Sequence, residues 1–124
     1  MLFPIIGVRL HGWLDELVVL VYLAGALLLP LHGEARVIAF AGAAVHFLLT
    51  RLTVYPQGTI RIIPFRVHAF IELCEGLAVL VATVGFAWTQ PVPARAFLAV
   101  MGVSQLGAFA FSDYGQRPGA ARWR

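Results

Sequence analysis

The sequence is short of charge and almost free of cysteine. Of its 124 residues only 12% are charged while 60% are hydrophobic; a soluble domain has about 25% charged and 45–50% apolar residues. A chain of this length forms one unit and leaves much of its surface exposed. So apolar a composition excludes a disordered chain, a disulfide scaffold and an ordinary cytosolic enzyme. Lysine is absent, and all nine basic residues are arginines standing singly near the ends of apolar runs. Without a basic patch interleaved with aromatics, nucleic acid is excluded as a partner. The lone Cys74 excludes an intrachain disulfide and, inside an apolar run, reads as a small buried hydrophobe. Glycine-rich phosphate loops and nucleophile elbows are missing too, and Ser104 and Ser112 sit in no such setting, so no enzyme is expected.

What is present is apolar length. Mean hydropathy is +0.86, and residues 17–33, 37–50, 76–94 and 96–112 contain no Asp, Glu, Lys or Arg. A spanning helix needs about 20 mainly apolar residues. The second run is short and becomes long enough if Arg36 and Arg51 snorkel from its two ends, giving a helix near 36–55; the others extend to roughly 10–30, 65–89 and 95–113. In lipid these segments must be helical, since open strand edges would leave backbone groups unpaired. The first segment follows Arg9 but is interrupted by Asp15 and Glu16 and lacks a clear cleavage site, so it reads as a retained span and not a signal peptide. Residues 30–34 (Pro-Leu-His-Gly-Glu) and 90–93 (Gln-Pro-Val-Pro) are turns. Tyr55-Pro56-Gln57-Gly58 suits a type I turn, and Pro64 the first turn of the next helix. The tail at 116–124 reads as frayed.

The chain also repeats itself. A shift of 57 places Arg9-Leu10-His11-Gly12-Trp13-Leu14-Asp15 on Arg66-Val67-His68-Ala69-Phe70-Ile71-Glu72, with Leu20 on Leu77 and Leu23 on Leu80. A shift of 59 places Arg36 on Arg95, His46 on Gln105 and Tyr55 on Tyr114. The expected architecture is therefore all-α: one membrane domain over 1–124, a four-transmembrane-helix bundle of two parallel helical-hairpin repeats, about 8–58 and 65–115. Each unit holds an even number of spans, so the units share one orientation and are related by a pseudo-two-fold axis along the membrane normal.

The paired hairpins, the His11-Gly12-Trp13-Leu14-Asp15 opening, the Leu-Leu-Thr-Arg end at 48–51 and the Arg-Ile-Ile-Pro-Phe-Arg-Val-His run at 61–68 resemble the SPW-repeat type of small bacterial membrane protein. Leu29-Pro30 and Phe86-Ala87-Trp88 stand near the places of that family's Ser-Pro-Trp tripeptide. The likeness covers roughly 8–114. It implies the four-helix fold and a bacterial inner membrane, and brings no catalytic residue and no cofactor.

One cluster of ionisable residues stands out. His11 and Asp15, and His68 and Glu72, are each four apart and so share a helix face, with Glu75 three further on. At about 1.5 Å per residue Glu72 lies about 12 Å and Glu75 about 16 Å beyond Pro64, and His46 can reach the same depth. Charge inside a bilayer is costly and faces the bundle interior, pairs, or serves function. Three readings follow. The histidines bond their own carboxylates, or Arg9 and Arg66 do, and the cluster only holds the bundle together. Alternatively the carboxylates relay protons or contact a polar ligand. In the third, two histidines and two carboxylates converge on the axis and hold zinc or iron, although His-x-x-x-acid is not the di-iron Glu-x-x-His pattern; haem would lack an attachment motif. The first gives a non-enzymatic structural or accessory membrane protein, the others a redox or proton-handling one. Gly25, residues 41–44, Gly102 and Gly107 read as helix contacts, and Trp13, Tyr55, Trp88 and Tyr114 as interfacial belts.

Orientation follows from arginine. Four spans put both termini and the middle loop on one side, with Arg9, Arg51, Arg61, Arg66, Arg117, Arg122 and Arg124; Arg36 and Arg95 lie opposite. The positive-inside rule places that first side in the cytoplasm. The expected partners are the lipid bilayer and other membrane subunits or further copies of the chain.

Overall fold

A computed structural model describes residues 4–85 and 88–115. It is all-helical, with α1 (Val8–Leu28), α2 (Glu34–Leu52), α3 (Phe65–Gly85) and α4 (Val92–Phe111). Each helix is long and apolar enough to cross a membrane. Only between 28% and 39% of each apolar window is buried, and Leu17, Leu20, Leu27, Val81, Val84, Val100 and Val103 point outward. The inside is small and polar in places while the outside is apolar, the reverse of a soluble bundle.

Helices α1 and α2 pack closely as one hairpin and α3 and α4 as another. Small residues set the approach. A Cβ on Gly102 would meet Leu80 Cγ at 2.6 Å and Gly76 O at 3.0 Å, so α3 and α4 touch backbone to backbone there. In the other hairpin a Cβ on Gly42 would meet the Tyr22 ring at 2.8 Å. Tyr22, Ala26, Leu31, Ala35, Ala39, Ala43, Val79, Ala94, Leu98 and Met101 form the larger apolar core. A smaller one of Val8, Tyr55, Phe65, Ala69 and Tyr114 lies at the other end.

The two hairpins are tied at both ends. At one, Gln90 clasps the His32 backbone: its Nε2 donates to His32 O at 3.0 Å and its Oε1 accepts from His32 N at 3.2 Å. At the other, the segment entering each odd helix bridges in parallel to the residue leaving an even one, Thr53 with Ile63 and Ser112 with Ile6. Ile62 and Ile63 N donate to Leu52 O, both at 2.8 Å, and Ile5 and Ile6 N to Phe111 O, both at 2.9 Å. Val54 N donates to Ile63 O and Asp113 N to Ile6 O, each at 2.9 Å. Every bond in one set has its counterpart 57 or 59 residues away.

These bridges explain why α2 and α4 stop short of their expected ends. Thr53 and Ser112 are extended, with ψ near 145° and 147°, so α2 and α4 end at Leu52 and Phe111 and not at 55 and 113. Helix α4 begins at Val92 because Pro93 fits a first turn, where its missing N–H costs nothing. Helix α1 runs over Val8–Leu28, two residues earlier than 10–30, and α3 reaches Gly85. The Tyr55 carbonyl accepts from Gly58 N at 3.0 Å, closing the expected turn. The tail at 116–124 lies outside the described residues.

Other expectations are corrected. Cys74 is exposed, because it falls between the inward positions Glu72 and Gly76 on α3. Gly42 and Ala43 are inside but Ala41 and Ala44 are outside, and a Cβ on Gly107 meets nothing within 4 Å. A run of small residues cannot all face a partner at 3.6 residues per turn.

Candidate functional site

The ionisable cluster is real and buried. His11, Asp15, His46, His68 and Glu72 are each at most 1% exposed, brought together near the start of α1 and α3 and the end of α2. His11 and His68 meet across the bundle, Nε2 to Nε2, at 3.1 Å. Around this contact stand the carboxylates. Asp15 Oδ1 is 3.4 Å from His11 Nε2, Asp15 Oδ2 is 3.4 Å from His68 Nε2, and Glu72 Oε2 is 3.5 Å and 4.0 Å from the same two nitrogens. Glu72 is therefore nearer the histidine of the other hairpin than its own.

A second ring of residues orients the first. Thr53 donates its one hydroxyl proton to Leu49 O at 2.6 Å, so toward His68 Nδ1 at 2.8 Å it accepts. His68 then carries its hydrogen on Nδ1 and turns the Nε2 lone pair to the centre. Ser112 Oγ stands 2.6 Å from His11 Nδ1, the same contact 59 residues on. Tyr55 donates to Asp15 Oδ2 at 2.7 Å and Tyr114 to Glu72 Oε2 at 3.3 Å. Burial, reinforced by the neighbouring carboxylate, pushes both phenols above their ordinary range, so each remains a donor.

The layer is not symmetric throughout. His46 reaches Asp15 Oδ1 at 3.3 Å through Nε2 and Glu75 Oε2 at 2.9 Å through Nδ1. Both ring nitrogens thus face carboxylate oxygens, the arrangement of an imidazolium donating twice. Its counterpart Gln105 accepts from Tyr22 at 3.0 Å. Glu75, at 10% side-chain exposure, is the rim of the layer.

All six candidate residues, His11, Asp15, His46, His68, Glu72 and Glu75, fall in this one layer. Arg9 and Arg66 do not: both are exposed, and the carboxylates are met by histidine and tyrosine instead. Arg51 pairs with Glu16 at the periphery. Sequence reasoning misses Thr53, Tyr55, Ser112 and Tyr114 as parts of the site. Trp13 and Trp88, 63% and 93% exposed, are free to form belts, whereas Tyr55 and Tyr114 are buried bonding partners. The signal lay in the shift of 59, which aligns Thr53 with Ser112 as well as Tyr55 with Tyr114.

Phe65 closes the layer at the end near the 53–64 linker, its ring centroid 5.0 Å from His11 and 4.8 Å from Tyr114. The larger apolar core closes the other side. His11, Asp15, His68 and Glu72 each offer one ligand atom within 4.8 Å of all the others, which suits a single metal ion. Haem does not fit, since two Nε2 atoms 3.1 Å apart leave no space for a porphyrin plane between them. No family model, curated protein or solved structure matches the chain.

Proposed function

We propose that the chain is a non-enzymatic integral membrane protein of structural or accessory type, built as two parallel hairpins from a duplication and working as a subunit of a larger membrane assembly or with further copies of itself. The bilayer of this reading is the bacterial inner membrane, with both termini in the cytoplasm. One observation carries it: bonds recurring at constant offsets join the two hairpins through a sealed polar layer, inside helices whose outer faces are apolar. Offsets of 57 and 59 relate Thr53–His68 to Ser112–His11 and Tyr55–Asp15 to Tyr114–Glu72, as a pseudo-two-fold axis along the membrane normal would require. Arginine supports the orientation: Arg9, Arg51, Arg61 and Arg66 lie at the end of the polar layer, and Arg36 and Arg95 at the other.

The resemblance to SPW-repeat-type proteins agrees with this reading. A layer closed by Phe65 on one side and the apolar core on the other suits a clamp between hairpins better than a site that exchanges substrate. Polar contacts between helices in lipid contribute about 0.6–2 kcal/mol each, so this layer is a substantial part of what joins the halves. Membrane fractionation tests the reading. The protein is expected to stay with membranes through an alkaline carbonate wash and to leave only with detergent; release by carbonate would refute it.

A further inference from the structure

We propose that the four convergent residues His11, Asp15, His68 and Glu72 form a closed binding site for one divalent transition-metal ion, zinc by its geometry. Zinc prefers four ligands in a tetrahedron at about 2.0–2.1 Å from nitrogen and 2.0–2.2 Å from oxygen, which puts ligand atoms about 3.3–3.5 Å apart. The two Nε2 atoms here stand 3.1 Å apart, and Asp15 sets one oxygen 3.4 Å from His11 Nε2 and its other 3.4 Å from His68 Nε2. Glu72 Oε2 stands 3.5 and 4.0 Å from the same nitrogens, and one ligand atom from each of the four residues lies within 4.8 Å of the others. Small side-chain movements turn this set into a coordination sphere.

Three further features point to a cation. First, the histidines are held as metal ligands are held: the Nδ1 positions face hydroxyls, and the Thr53 hydroxyl, already donating to Leu49 O, can only accept from His68. A bonded Nδ1–H that leaves Nε2 for the ion is the usual outer-shell device at such sites. His11 takes the same tautomer once the Ser112 hydroxyl turns to accept. Second, Glu72 Oε1 is buried and takes no hydrogen bond from the described residues, so Glu72 keeps free coordinating capacity beside the Oε2 that Tyr114 bonds; Glu75 Oε1 at the rim is likewise unbonded. Third, two neutral imidazoles and two carboxylates around a dication sum to zero charge. Without the ion, Asp15, Glu72 and Glu75 share the single imidazolium of His46 in an apolar slab, where uncompensated charge is expensive.

Four protein ligands with no open position describe a structural site and not a catalytic one. The ion would staple α1 to α3, whose backbones make no close contact of their own, and so join one hairpin to the other. Glu75 and His46 lie outside the sphere. Such a site belongs to the folded chain in detergent whatever its topology, so it can fail while the membrane reading stands, and the reverse.

Cobalt(II) is the probe. The chelator-treated, detergent-purified full chain is titrated with Co²⁺ and then with Zn²⁺. The expected result is the intense visible bands of four-coordinate cobalt, saturating at one ion per chain, lost on adding zinc, and a raised thermal midpoint with either metal. Asp15→Asn and His68→Gln are expected to lose the bands, Glu75→Gln to keep them, and Thr53→Val to weaken binding about 10–100-fold, with Thr53→Ser restoring it. Absence of bands and of any thermal shift in the wild-type chain would overturn the proposal, as would unchanged binding in Asp15→Asn and His68→Gln. Should those variants fail to fold, the wild-type titration alone decides.

Discussion

Tyr55 and Tyr114 show what single residues contribute here. Both donate to a buried carboxylate, yet the bonds differ in length, 2.7 Å to Asp15 and 3.3 Å to Glu72. Losing a donor to a buried charged group costs about 1–3 kcal/mol. Tyr55→Phe is therefore expected to lower the thermal midpoint in detergent clearly, and Tyr114→Phe to lower it less. Equal effects, or the reverse order, would mean that bond length does not govern the contribution. At this scale the sequence was informative about the ionisable residues, because histidine and carboxylate four apart in an apolar run are too costly to leave facing lipid. It was less informative about their partners. Tyrosine near a span end suits an interface as well as a buried bond, and only the three-dimensional closure of the 53–64 linker over α3 separates the two.

Helices form the next scale, and their ends and faces were legible to different degrees. Apolar length placed four helices correctly along the chain. Helices α2 and α4 end three and two residues early because parallel bridges at Thr53 and Ser112 are long-range contacts that no local signal contains. Faces were harder still: with all sides of a span apolar, periodicity does not mark the inner one, which is why Cys74 and Gly107 were misplaced. The close contact of α3 and α4 at Gly76 and Gly102 makes a sharp test. Gly102→Leu drives a side chain into Leu80 and the Gly76 carbonyl, and overpacking of this kind costs about 1–3 kcal/mol. Gly107→Ala, where a Cβ meets nothing within 4 Å, is expected to leave the thermal midpoint unchanged or raise it slightly, since alanine is the better helix former. A larger loss from Gly107→Ala than from Gly102→Leu would contradict the packing described.

For the whole molecule, the sequence shows the same chemistry recurring at offsets of 57 and 59 even where the apolar residues between differ. The polar layer carries that offset into space, tying hairpin to hairpin near the end where Arg9, Arg51, Arg61 and Arg66 gather. What the sequence could not contain is which groups meet across the bundle. Glu72 lies closer to His11 than to His68, its own helix neighbour, a consequence of how the hairpins dock. Everything proposed for the molecule in its membrane depends on four crossings of the bilayer with both termini inside. Cysteine accessibility in intact cells is the decisive measurement. In a Cys74→Ser background, single cysteines at Gly33, Val92 and Gly58 are exposed to a membrane-impermeant maleimide. Labelling is expected at Gly33 and Val92, and at Gly58 only after the cells are opened. Labelling of Gly58 alone in intact cells would invert the orientation, and labelling of all three would contradict the four-span membrane bundle itself.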